Sequence, residues 1–326
     1  MIIFWFSFII HKKRNKLKSI KLKSNILNLL LASVGVLIIL FLFIKLKSFV
    51  GKIDFRELSF NYYYLALSFS LIPVWFSIMC YIWKDLLREM GYRISQIDAM
   101  RIIGLSMFGK YIPGKLWFTL GRAVLAERLG VPKKLTFTTI ILETYFLLLT
   151  GAGFFVFLLF SLPTKPSYYT SLFVVALILL FPLSLPSVFK RILNFLLKLL
   201  KKDSLEINLS IFYVVKIMFL YIIVWVISGI EFYLLFRSFS SLPLDPMIGI
   251  SIYPAAWIIG FVVIIMPAGL GFREGVMFFF LSQKVPSETA VVMTLLSRIQ
   301  ITIGELFYLF LLFGSKKLWR SNEKEN

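Results

Sequence analysis

Six long apolar runs constrain the fold of this chain more than any other feature of its sequence. Hydrophobic residues make up 59% of its 326 residues, and a helix of about 20 apolar residues crosses a hydrocarbon core of about 30 Å. Lipid cannot hydrogen-bond an open backbone, so such runs form helices. The sequence therefore predicts an all-α, polytopic membrane bundle. The predicted full spans are residues 26–46, 62–84, 135–161, 168–188, 211–236 and 287–314.

A pattern built on proline and glycine occurs twice within these apolar surroundings. Residues 113–132 and 267–286 both fit P-x-x-L-x-F-x-x-G, followed by nine residues and then V-P. Chance is one explanation, because leucine, phenylalanine and glycine are common in this chain. Two proline anchors at one spacing, with further matches between them, favour an internal repeat. Inverted-repeat transporters carry such breaks at their binding sites.

Each copy of the motif follows a further apolar stretch, at residues 99–118 and 247–267, and leads into a helix-like piece of roughly a dozen residues. Pieces of that length are too short to cross a membrane. We therefore predict two re-entrant helix pairs, although the stretch 247–267 is also long enough for a full span, which would allow a count of eight. The predicted breaks are Pro113, Gly114, Pro267 and Gly269.

The formal charge of +20 lies mainly in short basic blocks beside the apolar runs. Such blocks stay on the cytoplasmic side and attract anionic lipid headgroups, so we expect no nucleic-acid partner. The blocks at residues 11–23, 190–202 and 316–320 all fall on one side when both motifs are counted as re-entrant. This count predicts a plasma-membrane protein with both termini in the cytoplasm.

The same count predicts one membrane domain at residues 26–314, between a basic cytoplasmic N-terminus at 1–25 and a cytoplasmic tail at 315–326. Its halves, about 26–161 and 168–314, carry the same order of segments in opposite orientations. The chain is therefore predicted to be an inverted repeat. The sequence does not indicate an oligomeric state.

Several ionisable side chains fall at membrane depth, where charges are costly and usually face a bundle interior or a cavity. For Arg128 and Lys216 we expect the simpler arrangement, in which the side chain extends to the interface. Around the predicted breaks we instead expect function. The candidate headgroup-binding residues are Lys110, Lys115, Arg122 and Arg273, and the candidate supporting acids are Glu143, Glu274 and Glu305.

These residues suggest how a phosphate would be held. A guanidinium forks onto phosphate bidentately, so we predict that Arg122 and Arg273, one from each half, hold it from two sides of one cavity. Glu143 and Glu305 would orient the arginines, and the two lysines would line the cytoplasmic approach.

The sequence contains no nucleophile elbow, nucleotide-binding loop or metalloprotease motif. Cys80 and His11 are its only cysteine and histidine, which excludes a Cys/His metal cluster. We therefore expect no metal and no cofactor, and we favour a protein without a catalytic centre over an enzyme.

Two groups of residues around the breaks form a family pattern. They are GKYIPGK at 109–115 with Gly121-Arg122, Gly130-Val131 and Glu143, and PAGLG at 267–271 with Arg273-Glu274-Gly275. These groups resemble the transmembrane, flippase-like domain of lysylphosphatidylglycerol synthases, and the resemblance extends over nearly the whole chain. The family usually shows Pro-Gly-Gly-Leu-Gly at the second site, so Ala268 is a small departure.

The resemblance implies a flippase-like protein that moves a lipid or lipid-linked intermediate with an anionic or polar headgroup between leaflets. Bifunctional relatives carry a soluble aminoacyl-transferase domain after the membrane part. The chain ends at Asn326 without one, so we do not expect lysyl transfer. The alternative is a non-catalytic partner, or a cryptic lipid-modifying enzyme, that works with a membrane glycosyltransferase. The expected partners are thus a membrane phospholipid or lipid-linked substrate and, in the alternative, a glycosyltransferase.

Overall fold

The computed structural model of the protein describes residues 60–111, 116–161, 209–262 and 271–314, together with Arg191 and Gly269. This part of the chain is built from helices and connecting turns, without a β-strand. Numbered in order, the helices are α1 Tyr62–Glu89, α2 Gln96–Ser106, α3 Leu116–Glu127, α4 Lys133–Phe160, α5 Ile211–Phe239, α6 Pro246–Val262, α7 Phe272–Ser282 and α8 Ser287–Gly314. A 3-10 helix, Met107–Tyr111, follows α2.

The prediction of a membrane helical bundle is confirmed. Helices α1, α4, α5 and α8 are long and apolar enough to cross a membrane, and they coincide with four of the predicted spans. The pieces behind the two motifs form the short helices α3 and α7, and the stretch 247–267 contributes α6, which has 17 residues. The other predicted spans, 26–46 and 168–188, lie outside the described residues, as do the N-terminus, the tail, Pro113, Gly114, Lys115 and Pro267.

Short polar residues start several of these helices. The side chain of Asn61 accepts hydrogen bonds from the amides of Tyr63 and Tyr64 at the start of α1, and Ser210 accepts one from Tyr213 at the start of α5. A capping oxygen satisfies amides that have no partner within the helix. The sequence thus fixes these helix ends locally.

The V-P pair that closes each motif stands immediately before a long helix. Pro132 precedes α4, with φ of -59°, and Pro286 precedes α8. Proline suits this place because it has no amide to satisfy and its φ is already close to helical. Val131 and Val285 are both buried beneath these helix starts. The repeated dipeptide therefore packs the start of both helices into the core in the same way.

Helices α1 and α5 run antiparallel along their length. The amide of Asn61 donates to the carbonyl of Ser238 at one end, at 2.8 Å, and Lys216 reaches the Asp85 carboxylate at the other, at 2.7 Å. A helix and its counterpart in an inverted repeat must have opposite directions. The pairing therefore has the orientation that the charge pattern predicts.

The helices of the two halves also correspond in order and in packing. Their lengths are 28, 11, 12 and 28 residues in the first half and 29, 17, 11 and 28 in the second. Helix α2 packs on α8 as α6 packs on α4, and α3 packs on α4 as α7 packs on α8. Each of these contacts in one half therefore has a matching contact in the other, as expected for a repeat.

Candidate functional site

The second motif places Arg273 at the start of α7 through two tight glycine turns. Gly269 and Gly271 have φ of 68° and 83°, a region that other residues rarely adopt. The amide of Gly271 donates to Oε2 of Glu274 at 2.6 Å, which stabilises the first turn of α7. A Cβ on Gly269 would lie 2.7 Å from the carbonyl oxygen of Gly260, so the turn packs directly against α6.

Arg273 is buried, with 6% of its surface exposed. Its guanidinium carbon lies 4.4 Å from the ring centroid of Tyr253 on α6, where the ring face attracts a cation. Its Nη2 atom has no hydrogen-bond partner among the described residues. Glu231 of α5 is 1% exposed, and it is among the charged groups whose field acts on Arg273.

Two ion pairs surround this arginine. Glu274 lies 2.7 Å from Nε of Arg298 on α8, and Lys110 of the 3-10 helix pairs with Glu305 of α8. Lys110 also lies within the field of Arg273 and Arg298. The six ionisable residues of this group, called the central cluster below, are Lys110, Glu231, Arg273, Glu274, Arg298 and Glu305.

The central cluster lies well inside the bundle. The hydroxyl of Ser68 donates to the carbonyl of Glu231 at 2.6 Å, and the amide of Gln300 donates to that hydroxyl at 2.6 Å. Gly304, next to Glu305, faces Ile72. Ser68 and Ile72 stand about 9 and 15 Å from the start of α1 at 1.5 Å per residue. The cluster therefore lies about two to three helical turns from the start of α1, and its formal charges balance.

Arg122 of α3 forms a separate buried pair. Its Nη1 atom lies 2.6 Å from Oε2 of Glu143 on α4, and its guanidinium carbon lies 4.0 Å from the ring centroid of Trp83. The indole of Trp83 donates to the hydroxyl of Thr139 at 3.0 Å, which fixes the ring under the cation. The Nε and Nη2 atoms of Arg122 have no hydrogen-bond partner among the described residues.

Among the described residues, Arg122 and Arg273 contact different parts of the bundle. Arg122 stacks on Trp83, whereas Arg273 belongs to the level of Ser68, and these two positions of α1 are about 22 Å apart along the helix at 1.5 Å per residue. The reason is the repeat itself. Arg122 is carried by α3 of the first half, whereas Arg273 is carried by α7 of the second. Ser68 and Trp83 stand at similar distances from opposite ends of α1.

The acids and lysines take partly different places from those expected. Glu143 does pair with Arg122, whereas Glu305 pairs with Lys110 and Glu274 pairs with Arg298. Lys110 thus lies in the central cluster, and its place on a cytoplasmic approach stays a prediction. Arg128 is exposed, as expected for a side chain at the interface.

The candidate set omits several residues that the structure brings to these sites. Glu231 and Arg298 are ionisable residues flanked by apolar ones, which marks them in the sequence as charges at membrane depth, although the candidate set leaves them out. Gln300 gives a weaker signal of the same kind. Trp83 and Tyr253 give none, because aromatic residues make up 17% of the chain and most of them simply pack.

A buried acid, Asp85, also connects α1 to α5 at the end of the pair away from Asn61 and Ser238. Asp85 has no exposed surface and contacts both Arg88, at 2.7 Å, and Lys216. Lys216, expected only to extend to the interface, is half-exposed and still bonds this acid. The contact joins the two halves near the Glu89 end of α1.

Comparison with known proteins agrees with the membrane fold and the two motifs. No curated protein matches the chain. Residues 25–307 match the family described as Lysylphosphatidylglycerol synthase TM region. This match covers all the described helices up to the middle of α8 and both copies of the motif. The chain therefore belongs to the lysylphosphatidylglycerol synthase transmembrane-region family.

Proposed function

We propose that this membrane protein moves a lipid, or a lipid-linked intermediate, with an anionic or polar headgroup between leaflets. The observation that carries the proposal is the buried guanidinium of Arg273, whose Nη2 atom has no hydrogen-bond partner among the described residues. A buried charge within a membrane helix bundle is costly unless something uses it. A phosphate headgroup supplies acceptor oxygens for such a group.

The surrounding charges suit transient rather than permanent binding of an anion. The central cluster is balanced without a ligand, since its three basic and three acidic side chains cancel. A lipid phosphate would therefore compete with protein carboxylates for Arg273 and would not be trapped. Acyl chains would remain in the lipid while the headgroup passes between the helices.

Arg122 offers a second contact for the same headgroup. It lies near the Glu89 end of α1, which we assign to the cytoplasmic side by counting spans from the basic block at residues 11–23. A headgroup entering from the cytoplasm would meet Arg122 first and Arg273 later. Two successive contacts replace the single two-sided clamp that the sequence suggested.

The antiparallel α1–α5 pair supports an alternating mechanism. In inverted-repeat transporters, one half moves against the other around a site at the interface. Here the halves meet along α1 and α5, and the central cluster draws residues from both, with Lys110 from the first half and the rest from the second. We propose that rocking at this interface opens the cluster to each leaflet in turn, in the plasma membrane and with both termini cytoplasmic.

Reconstitution tests this function directly. We would place the purified full chain in liposomes containing a fluorescently labelled phosphatidylglycerol and follow loss of the outer-leaflet label to a membrane-impermeant quencher. Arg273→Lys keeps the charge but loses the planar fork, and we expect it to slow lipid exchange at least tenfold. The control Arg128→Lys changes an exposed arginine and should exchange lipid at the wild-type rate.

Two outcomes would count against the proposal. Equal rates for wild-type protein, Arg273→Lys and protein-free liposomes would remove the flippase assignment. A protein that moves no lipid but is required for glycosyl transfer in the same membranes would support the alternative, a partner of a glycosyltransferase.

A further inference from the structure

We propose that Glu231 takes up one proton whenever an anionic headgroup binds Arg273, so that the protein moves the headgroup and the proton together in the same direction. This inference rests on the proposed function and adds its driving force. It identifies a proton site on α5, in the wall between the two halves.

The position of Glu231 is the first argument. Its side chain is 1% exposed, its Oε2 atom has no hydrogen-bond partner among the described residues, and its backbone carbonyl is held by Ser68. A buried carboxylate is costly unless a cation or several donors compensate it. Acids placed in this way within membrane helices commonly serve as proton sites.

The neighbours of Glu231 are the second argument. Helix α7 presents Arg273, whose charge acts on Glu231, and α6 presents Tyr253, whose phenol lies within the field of both residues. Helix α1 contributes Ser68, which is uncharged. Helix α4 presents Glu143, but the charge of Glu143 acts on Tyr221, which lies ten residues before Glu231 on α5.

The remaining charges near this site are already engaged. Helix α8 contributes the uncharged Gln300 together with Glu305 and Arg298, and these two charged residues pair with Lys110 and Glu274. Arg273 is thus the cation whose field compensates Glu231.

Charge balance then couples the proton to the lipid. When a phosphate monoanion binds Arg273, the central cluster gains one negative charge, and Glu231 loses its compensating cation to the ligand. A proton that binds the Glu231 carboxylate forms an O–H bond, restores the balance and leaves a neutral carboxyl group that can donate to the phosphate. Release of the headgroup frees Arg273 and lets the proton leave to the same side. The bound complex carries no extra charge, so the exchange is electroneutral.

The experiment uses the full chain in liposomes with labelled phosphatidylglycerol and a pH-sensitive dye inside. With the outside made acid by one pH unit, we expect labelled lipid and protons to move inward together. The equilibrium ratio of labelled lipid between leaflets should shift by up to about tenfold, because one pH unit is a tenfold ratio of proton activity. Reversing the gradient should reverse the shift, and a membrane potential alone should leave it unchanged.

Glu231→Gln keeps the size of the side chain but cannot bind the proton. We expect it to leave lipid distribution independent of the pH gradient and to reduce proton entry to the level of protein-free liposomes. Glu127→Gln is the matched control, since Glu127 is an exposed acid that pairs with Lys133 at the surface, and it should follow wild type.

The wild-type measurement alone can overturn the inference. Labelled lipid that exchanges at a protein-dependent rate, yet ignores the pH gradient, would refute the proton coupling and leave the flippase function standing. Absence of protein-dependent exchange under every gradient would refute both. A Glu231→Gln protein that still follows the gradient would show that another group carries the proton.

Discussion

Arg122 and Glu143 lie 2.6 Å apart, each almost wholly buried, and join the short helix α3 to the membrane-spanning helix α4. The pair forms beneath the V-P turn that connects these helices. The short helix of the first motif, α3, therefore packs against α4, the helix that follows it. Its guanidinium also covers Trp83, which connects the turn to α1. This contact decides where the first motif sits in the bundle and supports a prediction about stability.

Removing one partner of this pair should lower the free energy of unfolding much more than replacing both partners. We expect Glu143→Ala to lower the free energy of unfolding by about 3–5 kcal/mol, because it leaves a buried guanidinium without its counter-charge. The double variant Arg122→Met/Glu143→Leu should recover most of the loss. Unfolding midpoints in detergent would measure both. Glu127→Ala, in an exposed pair with Lys133, should change stability by less than about 0.5 kcal/mol, and an equal loss there would contradict the argument.

Transport should depend on the geometry of Arg122 as well as its charge. Arg122→Lys keeps a cation above Trp83 but loses the planar fork that binds a carboxylate and a phosphate together. We expect lipid exchange in liposomes to fall at least tenfold, with the protein still inserted in the membrane. If Arg122→Lys and Arg128→Lys both match wild type, Arg122 has only a structural role.

The turn at Gly269 should tolerate no side chain. Its φ of 68° is unfavourable for other residues by about 1–2 kcal/mol, and an added Cβ would also press on the carbonyl of Gly260 at 2.7 Å. We therefore expect Gly269→Ala to destabilise the protein by at least that amount and to slow transport through displacement of Arg273. Gly153→Ala is the control, because a Cβ there meets nothing within 4 Å. Similar thermal unfolding of the two variants would argue against a constrained turn.

Topology can be read by labelling single cysteines in a Cys80→Ser background. The structure places the end of α5 beside the start of α1, at the pole opposite to Asp85 and Lys216. We expect Ser241→Cys to react with a membrane-impermeant reagent on intact cells and Arg93→Cys to react only after permeabilisation. Labelling of both positions from outside would contradict the predicted orientation and the inverted repeat.

Much of the fold could be predicted because its signals are local. The apolar runs at 62–84 and 211–236 had to become helices in lipid, and Asn61 and Ser210 mark where those helices start. The basic blocks predicted that α1 and α5 cross the membrane in opposite directions. The antiparallel pairing of α1 with α5 agrees with that prediction. The V-P pairs likewise predicted the entry to α4 and α8.

The candidate site was predicted less completely, because partners in it come from distant parts of the chain. The sequence marked Arg122, Glu143 and Arg273 as unusual charges, yet it could not show that Glu305 would bind Lys110 rather than an arginine. Nor could it show that Asp85, in a polar stretch near the end of α1, would be completely buried.

The sequence by itself determined that this chain is a membrane helical bundle with two related breaks, since hydropathy, proline, glycine and charge act over a few neighbouring residues. Only the tertiary structure decided that Arg122 stacks on Trp83 of α1 while Arg273 stacks on Tyr253 of α6. It also decided that Glu231 lies within the field of Arg273 and that its Oε2 atom has no hydrogen-bond partner among the described residues. The physical reason is that the depth and partners of a buried charge are set by how α1, α5 and the short helices pack, and that packing has no counterpart in sequence spacing.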